Sequence, residues 1–210
     1  MNTLICIILD KSGSMAPEQA GTIGGYNTFL KDQKAITADI CRLSLVTFNT
    51  EKTVVHSAIP LADVPNLSEH NYVPGGNTAL YDAVAEGISI AEKDKQPGER
   101  VLVLIVTDGE ENSSRETTLD MVQKLITEHE ALGDWSFAYI GEKPDQWARE
   151  TGTSVGNTTK YTGSTQAFTT ASNRTTAYRC STQSSTQNYI IPDTPTWKTT
   201  EEHSGGKTSP

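Results

Sequence analysis

The stretch LICIILDKSGSM, residues 4–15, joins six consecutive apolar residues to a loop that carries one carboxylate and two hydroxyls. An apolar run of this length and composition is typical of a central strand that helices cover on both faces. A second run, VLVLIVT at residues 101–107, has the same character and is also followed by an aspartate, Asp108. The two runs therefore predict neighbouring strands at the centre of a parallel sheet.

Three more short apolar runs predict further strands. RLSLVTF (residues 42–48) and TVVHSAI (residues 53–59) flank the turn sequence NTEK, which predicts a hairpin and so one antiparallel strand. A fifth run, WSFAYIG, covers residues 135–141.

Between the strands, apolar residues recur at the spacing of a helix face. Gly133 predicts the end of one of these helices. The alternation of strands and helices predicts an α/β fold with a doubly wound, mostly parallel central sheet, one antiparallel strand and helices on both faces. The predicted faces are Leu80, Val84, Ile88 and Ala91; Leu119, Val122, Leu125 or Ile126, and Leu132; and, weakened by neighbouring glycines, Ile23, Tyr26 and Leu30.

Length and composition predict one domain followed by a tail. A chain of 210 residues with 35% hydrophobic content can bury one substantial core. We expect this domain to cover residues 1–180. Residues 181–210 are rich in Ser, Thr and Pro and poor in core residues, which predicts a disordered tail.

The formal net charge of −9 argues against a general nucleic-acid-binding protein and favours cations as ligands. The apolar runs are too short for a membrane span or a signal peptide, so no membrane partner is expected. Three cysteines, without the spacing of a metal site or a disulfide framework, indicate reduced thiols and a cytoplasmic protein.

Oxygen-bearing side chains gather where the central strands end, which is where doubly wound sheets bind ligands. Asp10 and Asp108 each follow a central strand, and Ser12 and Ser14 occupy alternate positions after Asp10. A third hydroxyl, that of Thr78, precedes a predicted helix in PGGNTALYDAV. Two carboxylates and three hydroxyls form a set of ligands suited to a hard cation, Mg²⁺ or Mn²⁺. With so few anionic ligands, the ion would still attract an anionic oxygen.

The order and spacing of Asp-x-Ser-x-Ser from Asp10, Gly-Gly-Asn-Thr ending at Thr78, and Thr-Asp-Gly around Asp108 resemble the von Willebrand factor type A (vWA) domain and its metal-ion-dependent adhesion site. The resemblance covers about residues 1–178 and looks most like stand-alone intracellular bacterial or phage members. It implies a Rossmann-like fold in which Ser12, Ser14 and Thr78 coordinate the metal directly or through water. Asp10 and Asp108 would hold the ion directly or through bound waters.

The same resemblance implies that a partner protein completes the metal's octahedron with an Asp or Glu side chain. We therefore expect a metal-dependent protein-binding module with no small-molecule substrate. One alternative is a hydrolase that uses the same ion to activate water. Another is a purely structural subunit with an empty site. Taken singly, Asp10, Ser12 and Thr78 are also ordinary helix-capping and turn residues.

Catalysis would need a general base or a nucleophile beside the metal. The motif loops offer only Lys11, which should point away if Ser12 and Ser14 point inward. The sequence GTSVG (residues 152–156) matches a serine-nucleophile elbow, but the helix-like DQWARET precedes it, where that elbow needs a strand. Its triad partners, Asp193 and His203, would fall in the tail. We therefore expect no enzyme.

The loop that follows Asp108 contains further polar residues. We interpret Glu110 and Glu111 as members of a solvated loop beside the metal, and Asn112 as a turn residue.

Overall fold

A computed structural model describes residues 1–181 and shows a six-stranded sheet with helices on both faces. The strands are β1 (Asn2–Asp10), β2 (Cys41–Phe48), β3 (Lys52–Pro60), β4 (Glu99–Val106), β5 (Trp135–Gly141) and β6 (Thr158–Lys160). The helices are α1 (Gln19–Lys34), α2 (Leu80–Asp94), α3 (Leu119–Ala131), α4 (Pro144–Thr151) and α5 (Ser164–Cys180), with 3₁₀ turns at Gly13–Glu18, Leu61–Asp63 and Val155–Asn157.

The strand order is β3-β2-β1-β4-β5-β6, and only the β2–β3 pair is antiparallel. This confirms the predicted fold class and the predicted hairpin. β1 and β4 lie side by side in parallel, with Leu4 beside Val101 and Leu9 beside Val106. Both apolar runs are buried along their whole length, because α1 and α5 cover one face of the sheet while α2 and α3 cover the other.

The predicted face of α3 is correct at Val122 and Ile126 but wrong at Leu132, which is 66% exposed. The helix ends at Ala131, so Leu132 lies beyond it and leaves the buried face. His129 lies there instead, with its ring against the edge of Trp135 at a centroid distance of 4.4 Å. Gly133 follows with φ +81°, which confirms the predicted end of the helix.

Helix α5 was not predicted from the sequence, because its buried face mixes aromatic residues with small and polar ones such as Ala171 and Thr175. It packs beside α1 on the sheet, with Tyr26 and Phe168 in edge contact at 5.9 Å. The glycines that weaken the sequence signal of α1 have a role in this contact. A Cβ on Gly25 would lie 2.8 Å from the Phe168 ring, so the close approach of the two helices requires glycine there.

Alanine substitutions at two neighbouring glycines of α1 should therefore have opposite effects on the free energy of unfolding. Gly25→Ala should lower the free energy of unfolding by about 1–3 kcal/mol, because the new methyl group overpacks a buried interface. Gly24→Ala should raise it by about 0.5–1 kcal/mol, since alanine is the better helix former and a Cβ there meets no atom within 4 Å. Urea unfolding of both variants measures the difference. Equal effects would show that α1 and α5 are not in close contact.

The predicted domain boundary falls at the end of α5, and the predicted tail lies outside the described residues from position 182 onward. Ser181 itself is bound, since its Oγ accepts a hydrogen bond of 2.9 Å from Arg100 Nη1. Cys6 and Cys41 are buried free thiols, as predicted. Within residues 1–181, no helix has the length and apolar content needed to cross a membrane.

Candidate metal centre

The end of β1 and the loop after β4 meet at the carboxyl edge of the sheet, and hydrogen bonds link three of the predicted site residues there. The Ser14 hydroxyl donates to Asp108 Oδ1 at 2.6 Å. The hydroxyl oxygens of Ser12 and Ser14 are 3.0 Å apart. These two contacts join Ser12, Ser14 and Asp108 in one chain of hydrogen-bonding side chains.

Asp10, the last residue of β1, is fully buried and held in one orientation. Its Oδ1 accepts a 2.6 Å hydrogen bond from the backbone N–H of Ser12, and its Oδ2 accepts one of 2.5 Å from the Thr107 hydroxyl. The Tyr72 hydroxyl donates to its carbonyl oxygen at 2.6 Å. The sequence gives no local signal for the contacts of Thr107 and Tyr72 with Asp10.

Thr78 is also buried, and Gly109 shows how near it lies to Asp10. A Cβ on Gly109 would be 3.1 Å from Thr78 Oγ1 and 3.7 Å from Asp10 Oδ2. Both oxygens therefore border one small volume, which a side chain at position 109 would fill. The structure thus brings all five predicted residues, Asp10, Ser12, Ser14, Thr78 and Asp108, to one edge of the sheet.

Backbone hydrogen bonds fasten the loop that carries Thr78 to the loop that carries the serines. Gly13 N–H donates to the Gly76 carbonyl at 2.9 Å, and Gly75 N–H donates to the Lys11 carbonyl at 2.8 Å. The Asn49 side chain donates to the Gly75 carbonyl at 2.7 Å. Gly76 adopts φ +79°, which favours glycine at this turn.

The loop after β4 holds Thr78 from the other side, a role that the sequence analysis missed. Asn112 Oδ1 accepts from the Thr78 N–H at 2.9 Å, while the Asn112 N–H donates to the Thr78 carbonyl at 3.0 Å. The Glu111 carboxylate accepts from the Tyr81 N–H at 2.9 Å. The interpretation as a solvated loop suits the exposed Glu110, but it is wrong for Glu111, and Asn112 does more than turn the chain. These partners lie about 30 residues away, so local patterns do not reveal them.

Asp82, in the first turn of α2, anchors the far end of the same loop. Its carboxylate accepts hydrogen bonds from the backbone N–H groups of Arg115, Glu116 and Thr117 at 2.9, 3.1 and 2.7 Å. Burial raises the pKa of this carboxyl, but the three hydrogen bonds outweigh that effect and hold the pKa below its ordinary value.

For the two carboxyls of the metal centre the net pKa shift is upward, opposite to that of Asp82. Burial raises the pKa of Asp10, hydrogen bonds from Thr107 and Ser12 oppose the rise, and the charge of Asp108 adds to it. Burial likewise raises the pKa of Asp108, against the hydrogen bond from Ser14. Two desolvated carboxylates that repel each other favour a cation between them.

The donor set fits a hard cation. Within residues 1–181, no three His, Cys, Asp or Glu side chains are grouped as metal ligands, so the three hydroxyls would have to contribute. Two carboxylates with three neutral hydroxyls make a site of oxygen atoms alone, the set that suits Mg²⁺ and Mn²⁺.

The groups suggested for catalysis lie elsewhere. Lys11 Nζ is 3.4 Å from Thr53 Oγ1 on β3, so it points away from the serines, as predicted. Ser154 follows helix α4, where a nucleophile elbow would need a strand. The other members of that predicted triad, Asp193 and His203, lie outside the described residues.

No protein-family model matches the sequence, and no curated protein matches it. Solved structures do. Proximal thread matrix protein 1 from the mussel byssus has a TM-score of 0.60 and 15% identity, over 80% of this chain and 46% of that protein. A further structure of that protein is described as having a zinc-occupied metal-ion-dependent adhesion site (MIDAS) motif. A von Willebrand factor type A protein from Catenulispora acidiphila has a TM-score of 0.54 and 18% identity, over 80% and 41%.

The minor pilin PilB from Streptococcus sanguinis has a TM-score of 0.55 and 14% identity, over 80% of this chain and 59% of the pilin. The chain spans less than half of the length of the mussel and Catenulispora proteins. Identities this low show the fold alone. From its sheet order, its helices and these neighbours, the chain has the von Willebrand factor type A fold.

Proposed function

We propose that this protein is a metal-dependent protein-binding module. Asp10, Ser12, Ser14, Thr78 and Asp108 would hold one Mg²⁺ or Mn²⁺ ion, and an Asp or Glu side chain of a partner protein would supply a further ligand. One observation carries this proposal: five oxygen-bearing side chains from three separate segments of the chain meet at one edge of the sheet, and only two of them are charged.

The charge balance supports an anionic partner. The two carboxylates can at most neutralise a divalent ion, and part of the charge of Asp10 is taken up by hydrogen bonds from Ser12 and Thr107. A third carboxylate, from outside, would therefore still be attracted to the ion.

Exposure indicates the side from which a partner would approach. Asp10, Ser12 and Thr78 are buried, whereas Ser14 is exposed and hydrogen-bonds Asp108. A partner would therefore reach the ion over Ser14 and Asp108.

The mussel protein supports a divalent ion, because its site of this type is described as holding zinc. The choice of Mg²⁺ or Mn²⁺ here rests on the donor set, because carboxylate and hydroxyl oxygens suit these hard cations. When bound, the ion would supply a Lewis-acidic position for a carboxylate oxygen.

We prefer binding over hydrolysis because of the groups that surround the site. The contacts of Asp10 are with hydroxyls and a backbone N–H, and Lys11 is directed to Thr53. A hydrolase would need a general base near the ion. A cytoplasmic location is part of the proposal, and the free thiols of Cys6 and Cys41 are compatible with it.

Titration with Mn²⁺ tests the metal half of the proposal. The wild type should bind one ion weakly, with Kd of about 0.1–1 mM, because a site with few carboxylates gives a hydrated ion little gain on losing water. Thr78→Ala should weaken Mn²⁺ binding at least about tenfold. Loss of a residue that only supports the metal ligands typically lowers metal affinity by about 10- to 100-fold, and loss of a ligand should cost no less. Ser154→Ala, a hydroxyl removed far from the site, is the matched control and should bind as the wild type does. Calorimetry measures all three.

Partner capture tests the other half. The immobilised wild type should retain a partner in Mg²⁺ and release it in chelator, whereas Thr78→Ala should retain none. If the wild type binds no ion at millimolar Mn²⁺, or if capture persists in chelator, the proposed function is wrong.

A further inference from the structure

A pocket of about 170 Å³ opens beside the candidate metal centre, between the start of α2, the loop after β4, and helix α4. Leu80 and Glu110 line it, and each lies two residues after a metal-centre residue, Thr78 and Asp108 respectively. Pockets for small-molecule ligands usually measure about 300–1,000 Å³. This pocket is therefore suited to a single side chain of a partner that is already bound at the metal.

One wall of the pocket is aromatic. The rings of Tyr139 and Trp147 stack in parallel, with centroids 4.5 Å apart and an interplanar angle of 5°. A Cβ on Gly141 would overlap the end of the Tyr139 ring, so this stack requires glycine at the last position of β5. Tyr81 adds a third aromatic ring.

The charged residues that line the pocket are mostly acidic. Among the described residues that line it there are three glutamates, Glu110, Glu111 and Glu150, and one lysine, Lys143. Lys143 Nζ is 2.7 Å from Glu110 Oε2, but both side chains are about half exposed, so the pair contributes little stability and can be exchanged.

The negative charge acts on the aromatic wall. Burial raises the pKa of Tyr81, and the charges of Glu150 and Glu111 raise it further. Burial and then the charge of Glu110 have the same effect on the pKa of Tyr139. A field that disfavours a phenolate favours a cation next to the rings.

Trp147 forms part of the wall and carries a distinctive N–H group. Its side chain lines the pocket and is only 5% exposed, and its Nε1 is buried without a hydrogen-bond partner in residues 1–181. Buried N–H groups normally have an acceptor. The indole N–H is therefore a sensitive reporter of any change in the packing of this wall.

We propose that this pocket receives an arginine side chain of the same partner that presents its acidic residue to the metal. The inference rests on the proposed function. Arginine fits better than lysine, because a planar guanidinium stacks on aromatic rings and pairs with carboxylates in a fixed geometry. The partner's binding segment therefore carries both an acidic and an arginine residue.

The first experiment tests the pocket without any need for metal. The full chain, labelled with ¹⁵N, is titrated with N-acetyl-arginine methylamide, and the indole N–H signal of Trp147 is followed by NMR. The neutral citrulline analogue, which has nearly the same shape, is the control ligand. We expect the arginine amide to shift the Trp147 signal and the citrulline amide not to shift it.

Two variants with opposite effects separate charge recognition from a structural effect. Glu150→Gln should weaken binding of the arginine amide by about three- to fivefold, the scale of one partly exposed ion pair. Lys143→Gln should strengthen it by a similar factor, because it removes the competing cation. Glu128→Gln, on the exposed face of α3, should change nothing. The inference would be overturned if the citrulline amide shifted the Trp147 signal as much as the arginine amide does. It would also be overturned if Glu150→Gln and Lys143→Gln changed the affinity for the arginine amide in the same direction.

The second experiment separates this inference from the proposed function. A library of twelve-residue peptides with one fixed Asp and random flanks is selected on the full chain in Mg²⁺, with elution in chelator. We expect arginine to be enriched in the flanks on the wild type and not on Glu150→Gln. Chelator-released peptides without arginine enrichment would overturn the pocket inference alone. If no peptide depends on Mg²⁺, the proposed function is wrong, and the claim of a shared partner falls with it.

Discussion

Asp10→Asn should abolish Mn²⁺ binding, with an affinity loss of at least about 100-fold, while the metal-free protein unfolds at the same temperature or slightly higher. The exchange removes one of two charges that the ion needs. It keeps an acceptor for the Ser12 N–H, and the Thr107 hydroxyl can rotate to accept from the new amide. The buried carboxylate is costly without a cation, so its neutralisation does not harm the fold.

Thermal unfolding in chelator and in 10 mM Mn²⁺ measures both effects. If the wild type binds with Kd of about 1 mM, the ion should stabilise it by about 1.4 kcal/mol, and Asp10→Asn should gain nothing. Asp10→Ala should also lose the ion, but it leaves the Ser12 N–H without an acceptor and so costs about 1–3 kcal/mol in chelator. Asp120→Asn, an exposed change on α3, is the control. Equal stabilisation of wild type and Asp10→Asn by Mn²⁺ would exclude Asp10 from the site.

The largest loss of stability is expected for Asp82→Ala, at about 3 kcal/mol or more near neutral pH. Asp82 as a residue is 8% exposed, and removal of its carboxylate leaves the backbone N–H groups of Arg115, Glu116 and Thr117 without their acceptor. Asp82→Asn should cost less, about 1–2 kcal/mol, because one amide oxygen can still accept. Urea unfolding measures both.

The contribution of Asp82 should depend on pH in a defined direction. Its pKa in the folded protein lies below its ordinary value, so its stabilisation is fully present above about pH 4, the unfolded value, and is lost as the pH falls further. The stability difference between wild type and Asp82→Asn should therefore be constant from pH 7 to pH 5 and shrink below pH 4. A difference that grows on acidification would show that the hydrogen bonds to Asp82 do not lower its pKa.

The centre of the fold and the candidate site could both be predicted from short stretches of sequence. Uniform apolarity in residues 4–9 and 101–106 predicted two strands buried on both faces, and they pair at the centre of the sheet. The positions of Asp10 and Asp108 at the ends of these runs then predicted that the carboxylates meet, because parallel neighbours end at the same edge.

Helices with strong apolar periodicity were equally predictable, whereas α5 and β6 were not. In α5 the buried face includes Ser172, Arg174 and Thr175, so burial does not show as an apolar pattern. Strand β6 has three residues and lies at the edge of the sheet, which is too short for any periodicity.

What the sequence determined by itself is therefore the burial of the central strands and of the periodic helices, and the residues at the ends of those strands, because these features are written in consecutive or regularly spaced positions. Only the tertiary structure decided which distant groups meet: Asn112 with Thr78, Asp82 with the loop after β4, Gly25 with Phe168, and Trp147 with Tyr139 beside an acidic pocket. Such pairs leave no local pattern. A backbone N–H or an aromatic ring can pair with many different groups, and the packing of whole helices against the sheet selects one.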